Sequence, residues 1–145
     1  MTKPATPFQL PKTLPSVLSD VYDYWDGLIR GKASDMPYWD DVNLSDMPSA
    51  AGHLMLMTAF AKPERVRFDI VGKKISSQYG HELTGSFADE IDPKAPLNFL
   101  VSQASATIEG QMPSYYQDGN SGRLVLPLWG DGHVSMLLGA IVEVK

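Results

Sequence analysis

Between Arg65 and Val71 the side chains alternate. Val66, Phe68 and Ile70 are apolar, while Arg65, Arg67 and Asp69 are charged. A period of two marks a half-buried strand. The run passes without a break into residues 72–87, which Gly72, Gly80 and Gly85 punctuate. A chain written this way must turn from extended backbone into short helical turns at one point. Gly80 and Gly85 then need only a positive φ at the ends of a short helix to be explained.

The segments on either side extend the pattern. Leu54–Phe60 is an apolar run closed by the turn Ala61-Lys62-Pro63-Glu64, so it and Arg65–Val71 form an antiparallel hairpin. Its apolar residues fall on both faces, as in a strand covered on both sides. Downstream, Asp92 before Pro93 reads as an N-cap with proline in the first turn. Leu97, Leu100, Val101 and Ala104 carry helical spacing toward Ile108 and a stop at Gly110. Met112–Gln117, Arg123–Trp129 and His133–Val144 read as three strands joined by the turns 118–122 and 130–132. The last is apolar on both faces, as a central strand should be. Pro127 cannot donate to a ladder, which predicts a bulge there or a nitrogen facing away from any partner.

Ahead of the hairpin, Pro4, Pro7, Pro11 and Pro15 make residues 1–15 an extended, proline-rich arm. Residues 16–30 form an amphipathic helix, with Ser16 as N-cap and Gly31 as C′ residue. Leu14, Leu18, Val21, Trp25 and Leu28 lie on one stripe, widened by Val17 and Ile29, and Asp20, Asp23 and Asp26 lie largely on the other side. A coiled coil needs roughly three or four heptads, and this stripe has about two. The helix therefore either packs on its own sheet or forms a seam with a second copy. Residues 32–49 are loop-rich. Asp35, Asp40, Asp41 and Asp46 lack the spacing of a calcium loop and read as turn and cap residues, and Tyr38 and Trp39 as a seal on the core edge.

The expected fold class is α+β: one domain over residues 16–145, with a five-stranded antiparallel sheet, helices on one face and an extra N-terminal amphipathic helix. At 145 residues such a chain holds a core without staples, and with no cysteine it has no disulfide framework or thiolate metal site. The net charge of −5 and the scattered cations do not make a nucleic-acid footprint or a match to an anionic membrane. No signal-peptide core or apolar run of about 18 residues occurs. The expectation is a cytoplasmic protein.

The strand and helix order, together with particular residues, resembles the PAS superfamily, and in particular its stand-alone members from alphaproteobacteria. The matching residues are Tyr24-Trp25 with Arg30-Gly31, Pro37, and Arg67-Phe68 with Gly72. They continue with Tyr79-Gly80-His81-Glu82-Leu83-Thr84-Gly85 and Leu126-Pro127-Leu128. Tyr38-Trp39 departs from the basic residue the family pattern would place after the loop proline. The resemblance implies a PAS-like sheet and a sensory or regulatory module that is not an enzyme, binds a small ligand or a signalling partner, and acts in trans. It carries over no haem, flavin or chromophore residue, so the cofactor is unknown.

The space between sheet and helices is the expected ligand site. Its candidate lining is Met55, Phe68, Tyr79, Phe87, Phe99, Tyr115 and Trp129, which equally serve as core filling. Leu18, Val21, Trp25 and Leu28 form the face that covers the sheet, in the same chain or in a homodimer. His53 and His133 show no metal-ligand spacing, His81 could ligate haem iron but on a short exposed turn before Glu82 reads as a surface histidine, and no nucleophile motif occurs. An enzyme using the same cavity is the alternative reading, with His81, Asp89 and Glu90 as the nearest acid–base residues. A purely scaffolding dimer is the third.

Overall fold

The computed structural model describes residues 8–29 and 36–143. The expectations placed on Pro4, Pro7, Arg30, Gly31, Asp35 and Val144 lie outside them. Helix α1 (Ser16–Gly27) is followed by three short 3-10 turns, Trp39–Asp41, Leu44–Asp46 and Pro48–His53. Then come β1 (Leu54–Ala61), β2 (Glu64–Val71), α2 (Lys73–Tyr79), α3 (Leu100–Gly110), β3 (Ser114–Asp118), β4 (Ser121–Gly130) and β5 (His133–Glu143). The strands form one antiparallel sheet in the order β2-β1-β5-β4-β3. The expected α+β class and five-stranded sheet are therefore present, in an arrangement consistent with a PAS-like fold.

Strand β5 is central, and its apolar residues on both faces are buried: Val134, Leu138 and Ala140 on one, Leu137 and Ile141 on the other. Each fully buried side chain of this size contributes about 1.5–3 kcal/mol, so neither face can be left to water. The register sorts the faces. Ser114, Val125, Gly139 and Met55 align across β3, β4, β5 and β1, Arg123 lies two residues from Val125 on the same side, and α3 bonds to this side through Gln103. We call it the inner face. Leu124, Ala140, Leu54 and Tyr115 align on the outer face, where α1 lies over β4 and β5.

The leading helix is shorter than its apolar stripe suggested. Pro15, not Ser16, stands at the N-cap, and its carbonyl accepts from the Ser19 amide at 2.8 Å. Leu28, half-buried, stands at the C-cap. Leu18, Val21 and Trp25 are buried within the same chain. The Trp25 indole donates from Nε1 to the Pro127 carbonyl at 2.8 Å. The open edge of β4 at this point explains its proline. β3 pairs with β4 only as far as Val125, and beyond it the Trp129 amide donates to Pro37, outside the sheet. Pro127, two residues earlier, faces the same open edge, so its missing N–H leaves no ladder bond unmade. A register shift also occurs, between Leu128 and Trp129.

Two further expectations are corrected or sharpened. The helix expected from Asp92 begins only at Leu100, after a run of turns over 92–99 and a left-handed Phe99 at φ 61°. Pro93 and Pro96 lack amides and disfavour helical backbone before them. The Pro96 and Asn98 carbonyls are taken by the Arg123 side chain instead of by helical amides. At the strand-to-helix junction, Gly80 and Gly85 have φ of 100° and 89°, as their positions implied. Gly72 is there for a different reason, because a Cβ on it would lie 2.4 Å from the Gly52 carbonyl oxygen.

Trp25→Ala should remove about 3–5 kcal/mol of stability in urea unfolding, since it opens a large cavity and frees a buried carbonyl. Trp25→Phe, which keeps most of the packing, should lose about 1–3 kcal/mol.

Candidate functional site

The inner face receives only part of the expected pocket lining. Met55 and Phe68 lie on it fully buried, and Tyr79 of α2 is buried with its hydroxyl donating to the Asp92 carbonyl at 2.7 Å. Phe87 and Tyr115 lie on the outer face. Phe87 pairs with Arg67 beside β2 and packs on Phe60, with the Arg65 guanidinium 3.9 Å above its ring. Tyr115 pairs with Leu124 and lies near Leu14 and Pro15. The pleat decides this: Tyr116, one residue on, is the tyrosine that points inward. Phe99 is 60% exposed and rests against the Tyr116 ring at 5.7 Å. Trp129 sits half-buried at the open edge of β4, bridged to Tyr38. Trp39 lies over Gly130 but stays 47% exposed, so the expected seal is only partial.

At the inner face the chain supplies a polar network that the sequence reading missed. Arg123 is 2% exposed. Its Nε donates to Gln103 Oε1, Nη1 to the Pro96 carbonyl and Nη2 to the Asn98 carbonyl, the last two at 2.9 Å. Its guanidinium stacks 5.1 Å from the Tyr116 ring. Gln103 Nε2 donates in turn to Ser114 Oγ and to the Arg123 carbonyl, each at 3.1 Å, and Ser114 Oγ shares a bond with Thr107 Oγ1 at 2.6 Å. A planar fork donating in several directions suits carbonyl dipoles spread over a turn, which a lysine cannot match. The network brackets α3, β3, β4 and the 94–99 turns together. The signal available in the sequence was one arginine at the head of an otherwise apolar strand, where a charged residue is buried only if partnered.

A concave surface lies on the other side of the molecule. Val17, Asp20, Val21 and Tyr24 recur at i, i+3, i+4 and i+7 along α1 and form one wall. Asp46, Met47, Pro48, Ser49 and Ala50 form the opposite wall of a groove of about 440 Å³. Val21, Met47 and Ala50 are buried at its floor, while Asp20, Asp23 and Asp46 are exposed at its rim. Tyr24 ties the walls together. Its hydroxyl donates to Asp46 Oδ2 at 2.8 Å and accepts from the Asn43 amide at 2.9 Å. Asn43 Oδ1 in turn accepts from the Ser45 amide, which closes the turn that presents Asp46. Partial burial raises the Tyr24 phenol above its ordinary pKa, and the Asp46 carboxylate adds to the rise. The groove offers apolar contact with carboxylate acceptors around it. Sequence reasoning read Asp46 as a turn or cap residue and put Asp20 and Asp23 on the polar side of α1, with nothing to bring them together, since the facing wall comes from a loop with no periodicity.

The acid–base candidates of the enzyme reading lie apart from both places. Arg65 holds Asp89 through Oδ1 at 3.0 Å and reaches Glu90 Oε2 at 3.3 Å, and this partner keeps the Asp89 carboxyl below its ordinary pKa. His81 is exposed beside Tyr79. His53 Nδ1 lies 3.0 Å from the Ile141 carbonyl, and His133 Nδ1 2.9 Å from the Val134 carbonyl. Among the described residues no three His, Asp or Glu side chains gather as a metal-binding set. No family model matches this chain, and neither a curated protein nor a solved structure does.

Arg123→Met should cost about 3 kcal/mol or more, because Gln103 and the turn carbonyls lose their donors in a buried setting. Amide exchange should quicken over 94–103 more than in β5. For Tyr24, a folded-state pKa above the unfolded one means that its contribution to stability is present below pH about 10 and is lost as pH rises through the higher folded value. Spectrophotometric titration against Tyr24→Phe should show the missing phenol titrating later than an ordinary tyrosine.

Proposed function

We propose that this chain is a non-enzymatic, PAS-like regulatory module that acts by contact with partner proteins. The observation that carries this reading is how the chain uses its inner face. Met55, Met57, Phe68, Ile75, Leu97 and Leu137 bury their side chains there against one another, and the Arg123–Gln103 network ties down the helical side. The concave surface described above lies outside this core, between α1 and the turns before β1. The strand and helix order and the residues shared with the PAS pattern support the regulatory assignment. The acidic composition, and the lack among the described residues of a helix long and apolar enough to cross a membrane, suit a cytoplasmic partner.

A homodimer belongs to the same reading, through the part of the sheet's outer face that α1 leaves uncovered rather than through the helix. The apolar stripe of α1 is spent on its own sheet. What stays open on the outer face is the strip over β1 and β2, where Phe60 and Ile70 are 38% and 49% exposed. Ion pairs between Arg67 and Asp69, and from Arg65 to Asp89, flank it.

Native mass spectrometry of the purified chain separates the readings. The expected spectrum holds the mass of the polypeptide, as monomer or dimer, with no stoichiometric adduct. A copurified organic molecule at one per chain would replace this reading with small-molecule sensing.

A further inference from the structure

We propose that the groove between α1 and residues 46–50 is the docking site for a cationic amphipathic segment of a second protein. The inference rests on the reading of this chain as a protein-contact module, and it adds where the partner binds and what it must carry.

Charge is the first argument. The chain carries −5 overall, and that excess sits in one part of the sequence. From Thr13 to Ala61 there are seven aspartates, no glutamate and two cations, Arg30 and Lys32, which leaves −5. The other residues hold ten acidic and ten basic side chains, which cancel. Both walls of the groove come from the acidic part, and neither a Lys nor an Arg lines it. A field concentrated at one cleft steers a cationic partner there and raises its encounter rate.

Shape is the second argument. The exposed carboxylates of Asp20, Asp23 and Asp46 stand on both sides of an apolar floor made by Val21, Met47 and Ala50. A free metal ion or a hydrophilic polycation would use the rim and leave the floor wet. A segment with an apolar side chain flanked by Lys or Arg satisfies both, because the long aliphatic stems of those cations add contact on the way to the carboxylates. The groove is also held in shape before any partner arrives. Tyr24 joins α1 to the turn at Asn43 and Asp46, so little ordering cost remains to be met on binding.

The test uses the full chain and a fluorescein-labelled 18-residue peptide of alternating Leu and Lys blocks on a helical period. Two control peptides accompany it, one with Glu for Lys and one with Ser for Leu. Anisotropy should show saturable one-to-one binding of the Leu/Lys peptide, weakened as salt rises, with both controls at least tenfold weaker. The triple variant Asp20→Asn, Asp23→Asn, Asp46→Asn keeps an acceptor for Tyr24 and should weaken binding by about tenfold, the sum expected of three exposed ion pairs. Ser49→Trp, placed in the mouth of the groove, should do the same by blocking it. Amide shifts in NMR spectra should cluster in 17–24 and 46–50. Equal binding of the Ser/Lys control, or no effect of either variant while they keep the wild-type melting temperature, would overturn the proposal. So would 1,8-diaminooctane shifting the same amides at equal affinity, or a dimer of the chain alone that Ser49→Trp dissociates. Failure here with an adduct-free mass leaves the partner-protein reading standing, whereas a stoichiometric copurified ligand removes that reading whatever the peptide does.

Discussion

A central strand that is apolar on both faces cannot exist without cover on both, and the architecture follows from that demand on β5. The chain answers it from two directions. Helix α1, arriving before the sheet, lies over β4 and β5 on the outer face, and α3, inserted between β2 and β3, packs on the inner face with Ile75 and Tyr79 of α2 buried in the same core. The two covers are fixed by different chemistry. On the outer side one indole N–H reaches the backbone of β4 at Pro127, a position whose carbonyl is open because β3 has already ended. On the inner side a buried guanidinium gathers carbonyls from a turn that proline keeps out of the helix. A polar group in a core is tolerable only when its partners are present, so each contact specifies one seating of its helix as well as stabilising it.

The sheet was legible in the sequence because its signals are local. Alternation marked β2, continuous apolar runs marked β1 and β5, and the turn clusters separated β3, β4 and β5. The proline in β4 was legible as a conflict, and its resolution at an open edge was one of the outcomes anticipated. What failed was parity and partnership. Tyr115 and Tyr116 are neighbours of the same type, and only the register with β4 decides that the second points inward. Phe87 was assigned to the pocket lining as a large side chain, whereas its pairing with Arg67 at the edge of β2 sends it outward. The start of α3 was misplaced because proline at a first helical turn is a good local signal. It was outweighed by Arg123, about 30 residues downstream. The groove was invisible for the same reason as Arg123: each depends on groups far apart in sequence, and neither wall announces the other.

Adjacent residues on a helix project about 100° apart, and α1 uses that angle to touch two bodies at once. Trp25 turns into the sheet and bonds to Pro127, while Tyr24 turns sideways and bonds to Asn43 and Asp46. The helix therefore cannot roll about its axis without straining one contact or the other. Roll toward the 43–46 turn draws the indole from β4, and roll away from it parts the phenol from Asp46. A partner seated against Val17 and Val21 presses on the same helix. Its binding energy would then bear directly on the Trp25 contact and so on β4, whose inner face carries Arg123. Coupling between the groove and the core needs no further element than this helix with two differently aimed aromatic residues. It is strongest if α1 has a second seating within a few kcal/mol, since a ligand shifts an equilibrium only by its difference in affinity for the two states.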